Sequence, residues 1–227
     1  IIQRRSIERD SLSQERFLVV EPHPDDFALS CSGFMIDQLR RGAEMTLLNV
    51  FSNSALATFP WNDRVNISEK YYQSLRLQES QTVADYLEIP FKSYKLPLGL
   101  KRGYSSPFGR LQLQDTEFIN EISFKIEEDL DGHTTIVAPL AIQNHVAHLA
   151  VYTAIIQLKQ RNPSTQLVFY EDLPYSKNRF AFPNRIREIS EQICLETKYT
   201  DVKESLEIMA DLASVYKSQF DDINRIQ

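Results

Sequence analysis

The chain has 227 residues, of which 42 % are hydrophobic and 25 % charged, and its formal net charge at pH 7 is −6. This length is enough for one α/β domain with a full hydrophobic core, and nothing in it demands a second domain, so we expect a single domain over residues 1–227. The negative charge argues against a general affinity for nucleic acid or acidic lipid, and the expected partner is a small molecule.

Cysteine content and hydropathy indicate the compartment. The two cysteines, Cys31 and Cys194, are too few for a disulfide framework, and Cys31 falls in an apolar segment where a buried free thiol is usual. No apolar run approaches the roughly 18 residues that span a bilayer, and the polar residues 1–16 lack the apolar centre of a signal peptide. We therefore expect a cytoplasmic protein with no stable membrane anchor, and the sequence is compatible with a homo-oligomer.

Five runs of apolar, β-branched or aromatic residues predict strands over residues 17–21, 45–51, 91–96, 134–139 and 166–171. Helical patterns lie between them, over residues 27–41, 69–88 and 115–130, and Asn144 stands where an N-cap would begin a further helix. Beyond residue 175 the chain is predicted to be helical, with core positions at Ile186, Ile189, Ile193, Leu206, Met209 and Leu212.

The alternation of strands and helices predicts the fold. Right-handed crossovers between successive strands give a mainly parallel sheet with helices on both faces, a three-layer Rossmann-like α/β fold. Ligands of such sheets bind beyond the carboxyl ends of the strands. His23 follows the first strand, His145 follows the fourth, and Glu171 and Asp172 end the fifth, so these residues are expected at one edge.

The motif His23-Pro-Asp-Asp26 has two interpretations. A plain helix start also favours proline in the first position and acidic side chains in the first turn. That interpretation leaves His23 unexplained, and the same order of strand, histidine and helix recurs at His145-x-x-His148. The recurrence favours a metal hydrolase site. The fourth histidine, His133, precedes a strand and is expected at the opposite edge of the sheet, as a surface or turn residue.

Two longer segments, residues 52–68 and 97–114, are predicted to be loops. The first contains Trp61, Asn62, Asp63 and Arg64. Loops at the ligand-binding edge either form lids and substrate walls or only cover the sheet, and the sequence leaves both interpretations open.

Four blocks, taken in order, resemble the LmbE-like or PIG-L family of zinc-dependent N-acetylglucosaminyl deacetylases. They are Pro22-His-Pro-Asp-Asp-Phe-Ala-Leu-Ser30, Arg76-x-x-Glu79, Asn144-His-Val-Ala-His148 and Phe169-Tyr-Glu-Asp-Leu-Pro-Tyr175. The joint order of the blocks is far more specific than any single block.

The resemblance implies that a metal is held by His23, Asp26 and His148, that Asp25 is a general base, and that His145 stabilises the developing oxyanion. Independent chemistry agrees, because a catalytic zinc usually takes three protein ligands of N and O type and keeps a fourth position for water. Zinc is expected, and another divalent metal would also suit these ligands. The implied reaction removes an N-acetyl group from an amino sugar or a related small-molecule conjugate.

Further residues are assigned less sharply. The resemblance suggests that Arg76 reaches the substrate, although Arg76 and Glu79 could also form only an exposed ion pair. Glu171 and Asp172 line the pocket or initiate a turn before Pro174. Two positions depart from the commoner family pattern, since Phe27 and Ala147 stand where many members carry Glu and Asp, and a hydrogen bond from either carboxylate to the metal ligands would be absent here.

Three other functions compete with deacetylation. A nucleotide-binding module suits the fold, but the turn after the first strand lacks a Gly-rich loop. Two histidines and one carboxylate also form the facial triad of non-haem iron oxygenases, although the neighbouring Asp25 favours hydrolysis. An inactive small-molecule-binding domain is disfavoured because every proposed chemical position is filled.

Overall fold

Five parallel strands form one sheet in the structure, a computed structural model that describes residue 7 and residues 15–53, 68–130, 132–133, 135–177, 180–191, 193–194 and 196–219. The strands are β1 (Arg16–Glu21), β2 (Glu44–Asn53), β3 (Phe91–Pro97), β4 (Thr135–Pro139) and β5 (Gln166–Tyr170). Their spatial order is β3-β2-β1-β4-β5, and each pairing is parallel. The predicted α/β fold with a parallel sheet is confirmed.

The strand order has its topological switch point between β1 and β4. The chain adds β2 and β3 on one side of β1 and then returns to add β4 and β5 on the other side. A crevice opens at such a switch point beyond the carboxyl ends of the two adjacent strands. The motif beginning at His23 follows β1, and the segment carrying His145 follows β4.

Six α-helices cover the sheet within the described part of the chain. They are α1 (Ser32–Arg40), α2 (Glu69–Leu87), α3 (Thr116–Glu128), α4 (Val146–Arg161), α5 (Ala181–Ser190) and α6 (Leu206–Val215). A π-helical turn, Phe27–Cys31, precedes α1. None of the described helices combines the length and the apolar character needed to cross a membrane.

Alternation along β1 divides the core into two layers. Phe17 and Val19 pack with α1, α2 and α6 on one face, whereas Leu18 and Val20 pack with α3 and α4 on the other. Successive side chains of a strand point to opposite faces, so a strand buried on both sides becomes a continuous apolar run. This is why the three inner strands, β1, β2 and β4, could be located from the sequence as apolar runs.

Three local predictions were wrong, and one of them is the helical character of the whole chain beyond residue 175, because residues 196–202 form neither helix nor strand. Asn144 is not the N-cap of α4, because it has a left-handed backbone with φ of 56°, and α4 follows His145 instead. The left-handed turn brings the N–H of Val146 to the carbonyl oxygen of Pro107, at 2.8 Å. Leu206 is 53 % exposed at the first position of α6, and Ile208 is buried instead.

Of the two predicted loops, the structure describes only the second in full. Residues 54–67, which include Trp61 to Arg64, lie outside the described residues. The loop over residues 97–114 is described, and it contains a 3₁₀ turn over Gly99–Arg102. Arg102 and Tyr104 both hydrogen-bond the buried carboxylate of Asp115, which ties this loop to the start of α3.

Candidate metal centre and active site

The turn after β1 points its two aspartates in different directions. The backbone N–H of His23 donates to Asp26 Oδ2 at 2.7 Å, and the N–H of Asp26 donates back to the carbonyl oxygen of His23 at 3.2 Å. Asp25 has a φ of 128°, a region that side-chain-bearing residues rarely adopt. Backbone strain of this kind persists where the surrounding structure enforces it, often at functional sites. Asp26 consequently faces the histidines and Asp25 faces Arg76.

Three possible metal-ligand atoms, two from the turn after β1 and one from the first turn of α4, lie within hydrogen-bond distance of one another. His23 Nδ1 is 3.2 Å from Asp26 Oδ2 and 3.1 Å from His148 Nε2, and His148 Nε2 is 3.3 Å from Asp26 Oδ2. In a tetrahedral zinc site with bonds of about 2.0 to 2.1 Å, ligand atoms stand about 3.3 Å apart. The donor set and its spacing therefore fit a divalent metal.

His145 completes a buried cluster of three histidines. Its ligand atoms and those of His23 and His148 all lie within 4.8 Å of one another. A three-histidine set is thus a geometric alternative to the set with Asp26. We favour the set with Asp26 because its three donor atoms are closer together and because a carboxylate supplies negative charge to balance a cation.

Asp172 fixes the orientation and tautomer of His148. Both side chains are fully buried, and His148 Nδ1 donates a hydrogen bond to Asp172 Oδ1. The other carboxylate oxygen of Asp172 accepts the backbone N–H of Ile142 at 3.1 Å. With its proton on Nδ1, His148 presents Nε2 to the centre of the site, as a metal-binding imidazole does when a carboxylate holds its other nitrogen.

The electrostatic field of this cluster favours a positive charge. Burial disfavours an imidazolium, but Asp26 and Asp172 raise the pKa of His148 to about 10. Burial also disfavours a carboxylate at Asp26, yet His148 and His23 lower its pKa well below the ordinary value. The position that holds a proton between these groups is the position a metal cation would take, since a cation is favoured by the same charges.

Asp25 is a largely buried carboxylate, with 14 % of its side chain exposed, beside the buried guanidinium of Arg76. Burial raises the pKa of Asp25 to about 7; Arg76 opposes this rise and Asp26 adds to it. Arg76 Nη2 lies 3.1 Å from Asp25 Oδ1 and also donates to the carbonyl oxygen of Pro24. A carboxylate with a pKa near neutrality is suited to accept a proton and return it in one catalytic cycle.

His145 stands at the mouth of the site between two aromatic rings. Its ring stacks on Tyr175, with centroids 5.5 Å apart, and meets the edge of Phe108 at 5.3 Å. Burial together with His23 and His148 lowers the pKa of His145 to about 2, so the imidazole is neutral. Its Nδ1 is buried and has no partner among the described residues.

Asp172 and Glu171, both predicted to contact the substrate, differ in exposure to solvent. Asp172 has no exposed surface for a substrate, because both its oxygens bind groups of the protein. Glu171 is exposed next to it. Arg76 and Glu79 are both buried and do not form the exposed ion pair considered from the sequence. Arg76 binds Asp25, and Glu79 accepts the N–H and the hydroxyl of Ser218.

Three site residues were not assigned a role from the sequence: Glu21, Phe108 and Tyr175. Tyr175 lay in the fourth sequence block, and Phe108 lay in a loop whose function was left open. Glu21 is the acidic last residue of an otherwise apolar strand, a signal that was present but not used. Of the two departures from the family pattern, Phe27 packs in the core on one face of the sheet and Ala147 in the core on the other.

The sequence matches one family model. Residues 18–159, which carry the motif after β1 and both histidines of the second motif, match the model described as PIG-L: GlcNAc-PI de-N-acetylase.

One curated protein is similar to this chain in amino-acid sequence. The 2'-N-acetylparomamine deacetylase of Streptomyces fradiae is 33 % identical over 185 residues, which make up 76 % of this chain and 62 % of the relative. The chain thus spans less than two thirds of that protein's length.

Solved structures share the fold. A deacetylase in complex with teicoplanin, from the teicoplanin biosynthesis pathway, superposes with a TM-score of 0.71 at 18 % identity and covers 92 % of this chain and 90 % of its own. The 4-carboxy-2-hydroxymuconate hydratase GalB from Pseudomonas putida superposes with a TM-score of 0.62 at 10 % identity, covering 93 % of this chain and 82 % of its own. Because proteins named as a deacetylase and as a hydratase have this architecture, the fold alone does not determine the reaction.

Proposed function

The chain belongs to the PIG-L family, and we propose that it is a metal-dependent hydrolase that removes an N-acetyl group from an amino sugar or a related small-molecule conjugate. The observation that carries this proposal is the triangle of His23 Nδ1, Asp26 Oδ2 and His148 Nε2, with edges of 3.1 to 3.3 Å. It lies beside Asp25, a carboxylate suited to proton transfer. The relative from Streptomyces fradiae, named for the deacetylation of an amino sugar derivative, supports the substrate class.

The proposed ligands are His23, Asp26 and His148, and the proposed metal is zinc, with another divalent cation as the alternative. When bound, such a cation lowers the pKa of a water molecule and polarises an amide carbonyl. Two imidazoles and one carboxylate make up a common ligand set for catalytic zinc and leave a position for water. Asp172 holds His148 in the orientation that this role requires.

Asp25 is the proposed general base. Its carboxylate accepts the proton of the attacking water and can return that proton to the leaving amine, because its pKa of about 7 suits both directions of transfer. Arg76 favours the ionised form of Asp25 and fixes its direction through the contact at 3.1 Å. The proton donor was left open by the sequence, and the neutral state of His145 favours Asp25 for this step.

His145 is the proposed hydrogen-bond donor to the oxyanion that forms as water attacks the acetyl carbon. A neutral imidazole can donate from one nitrogen without being an acid, and burial strengthens such a contact. Phe108 and Tyr175 hold the His145 ring from two sides. The 44 % exposed ring of Phe108 also offers an apolar surface to a substrate. The exposed Glu171 remains a proposed substrate contact at the same edge.

The finer features of the proposal are the N-acetylglucosamine unit in the substrate, the cytoplasmic location and the single domain over residues 1–227. The family description names GlcNAc-PI, which supports the first. Cys31 is free and buried, which is compatible with a reducing compartment.

The test combines metal analysis with product analysis. Purified protein should contain one divalent metal per chain and release acetate from at least one member of a panel of N-acetylated amino sugars. His148→Ala should lose the metal, while the matched control His133→Ala should keep it. His133 lies at the opposite edge of the sheet, where its Nε2 is 3.0 Å from Thr46 Oγ1. Full metal occupancy in His148→Ala would disprove the ligand assignment.

A second pair of variants separates the two aspartates. Asp25→Asn should keep the metal and lose turnover by a factor of about 10² to 10⁴, the usual contribution of a positioned acid or base. Asp26→Asn should weaken metal binding, and excess zinc should restore part of its activity. Oxygen consumption with a co-substrate, in the absence of acetate release, would replace the proposal with the non-haem iron oxygenase.

A further inference from the structure

Glu21 is a fully buried carboxylate to which the reaction outlined above gives no role. It is the last residue of β1, directly before the turn that carries His23, Asp25 and Asp26. Among the described residues it forms no ion pair. A buried charge or polar group without compensation is costly, so the contacts that satisfy this carboxylate indicate what it does.

One contact of Glu21 is with the backbone of the active-site turn. Glu21 Oε2 accepts the N–H of Phe27 at 3.2 Å, and Phe27 is the first residue of the π-helical turn that leads into α1. The N–H groups in the first turn of a helix have no partner within the helix. The side chain of the residue before the helix commonly accepts the N–H of the second or third helical residue, so the N–H of the first, here Phe27, depends on an acceptor from elsewhere.

Asp26 occupies that preceding position but does not cap the helix. Its side chain makes no capping hydrogen bond, because Asp26 Oδ2 faces His23 and His148 instead. A carboxylate that turned back to cap the helix could not keep this direction. Glu21 instead holds the N–H of Phe27 from β1, and so fixes the backbone from which the side chain of Asp26 points to the histidines.

The other oxygen of Glu21 is anchored from outside the turn. Ser80 Oγ, on α2, donates to Glu21 Oε1 at 3.2 Å, and Ser80 Oγ lies 3.3 Å from the hydroxyl of Tyr216. All three side chains are completely buried. This chain of hydrogen bonds links β1, α2 and the residue after α6, and it fixes the carboxylate in one place beneath the turn.

We propose that Glu21 is a positioning residue, which holds the N–H of Phe27 from β1 and so fixes the turn in which the carboxylate of Asp26 faces the metal site. The inference rests on the proposed function, because it concerns the metal site described there. It assigns Glu21 no contact with substrate or metal.

The test compares two replacements of similar size. Glu21→Gln keeps an oxygen that can accept the N–H of Phe27, and its amide can donate to Ser80, whose hydroxyl can accept. Glu21→Met fills the same space without an acceptor. We expect Glu21→Met to bind zinc 10- to 100-fold more weakly in competition with a chelator, the usual effect of losing a group that orients a ligand, and Glu21→Gln to recover most of that loss.

Hydrogen exchange at the amide of Phe27 gives a readout independent of the metal. In the metal-free protein, exchange should be faster in Glu21→Met than in the wild type and slow in Glu21→Gln. Ser123→Ala is the control for general destabilisation, because Ser123 is also fully buried and donates to the carbonyl oxygen of Ala154, between α3 and α4. It should lower thermal stability without changing zinc affinity.

The failures of the two proposals are distinguishable. Wild-type protein that binds no metal would overturn the proposed function. Metal-binding wild type together with a folded Glu21→Met of unchanged zinc affinity would overturn only the role of Glu21. If Glu21→Met does not fold, Ser80→Ala replaces it: several-fold weaker zinc binding supports the role, and unchanged binding contradicts it.

Discussion

Replacing Asp25 with Asn should stabilise the metal-free protein, and more so at alkaline than at acidic pH. Burial raises the pKa of Asp25 from its ordinary value of 3.8 to about 7, in spite of the opposing effect of Arg76. In the unfolded chain the carboxyl ionises at its ordinary pKa. The folded state must then hold a charge that it disfavours, so the carboxyl contributes relative stability below pH 3.8 that is lost progressively as the pH rises through 7.

The size of the effect follows from the two pKa values. A rise from 3.8 to about 7 corresponds to about 4 kcal/mol at full ionisation. At about pH 5.5 the carboxyl is still protonated in the folded state, and its destabilising effect is about 2 kcal/mol smaller than at full ionisation. Asn resembles the protonated acid in size and shape, and the φ of 128° strains Asp and Asn alike, so the replacement leaves that strain nearly unchanged.

The assay is urea unfolding of the wild type and Asp25→Asn with a chelator present, at about pH 5.5 and about pH 8. The free energy of unfolding of the variant relative to the wild type should be about 2 kcal/mol larger at the higher pH. Asp37→Asn, which removes a surface ion pair with Arg41, is the control and should change stability by less than about 1 kcal/mol at both pH values. A gain at Asp25 that is equal at both pH values, or a loss at the higher pH, would refute the reasoning.

Three further changes test the surroundings of the site. Arg76→Met removes the cation that lowers the pKa of Asp25, so the acidic limb of kcat/KM should move up by about 1 to 3 pH units, and an unmoved limb would contradict the pairing. Asp172→Ala should lower zinc affinity by about 10- to 100-fold in chelator competition, because His148 loses the acceptor that orients it; equal affinity would show that His148 needs no such partner. Phe108→Ala should raise KM by about fivefold with unchanged metal content, as expected for about 1 kcal/mol of aromatic contact, and an unchanged KM would exclude the ring from the substrate wall.

The sequence by itself determined the elements and the shared edge. Strands buried on both faces are apolar runs, and helices between them repeat at a helical period, so the order of elements is written locally. Parallel strands end at the same edge, and the positions of His23 after β1 and His148 beyond β4 therefore predicted that they meet. The resemblance then supplied roles that spacing alone does not give.

Tertiary structure decided which side chains touch. Arg76 Nη2 reaches Asp25 across 51 positions of sequence, and Glu79 accepts from Ser218 across a separation of 139 residues. Neither partner can be identified from a local pattern, because each depends on how α2 packs against the rest of the domain. From the sequence, Arg76 could be a substrate contact or a member of an exposed ion pair. In the folded chain it lies against Asp25.

Burial and neighbouring charges together decided the charge states. Asp25 and Asp26 are adjacent and chemically identical, yet the pKa of one is raised to about 7 and that of the other is lowered well below its ordinary value. Burial raises the pKa of both: at Asp25 this effect outweighs the opposing Arg76, whereas at Asp26 the two histidines outweigh it. A sequence records which groups are present, whereas only the folded chain sets their distances and their exclusion from water, on which the energy of a charge depends.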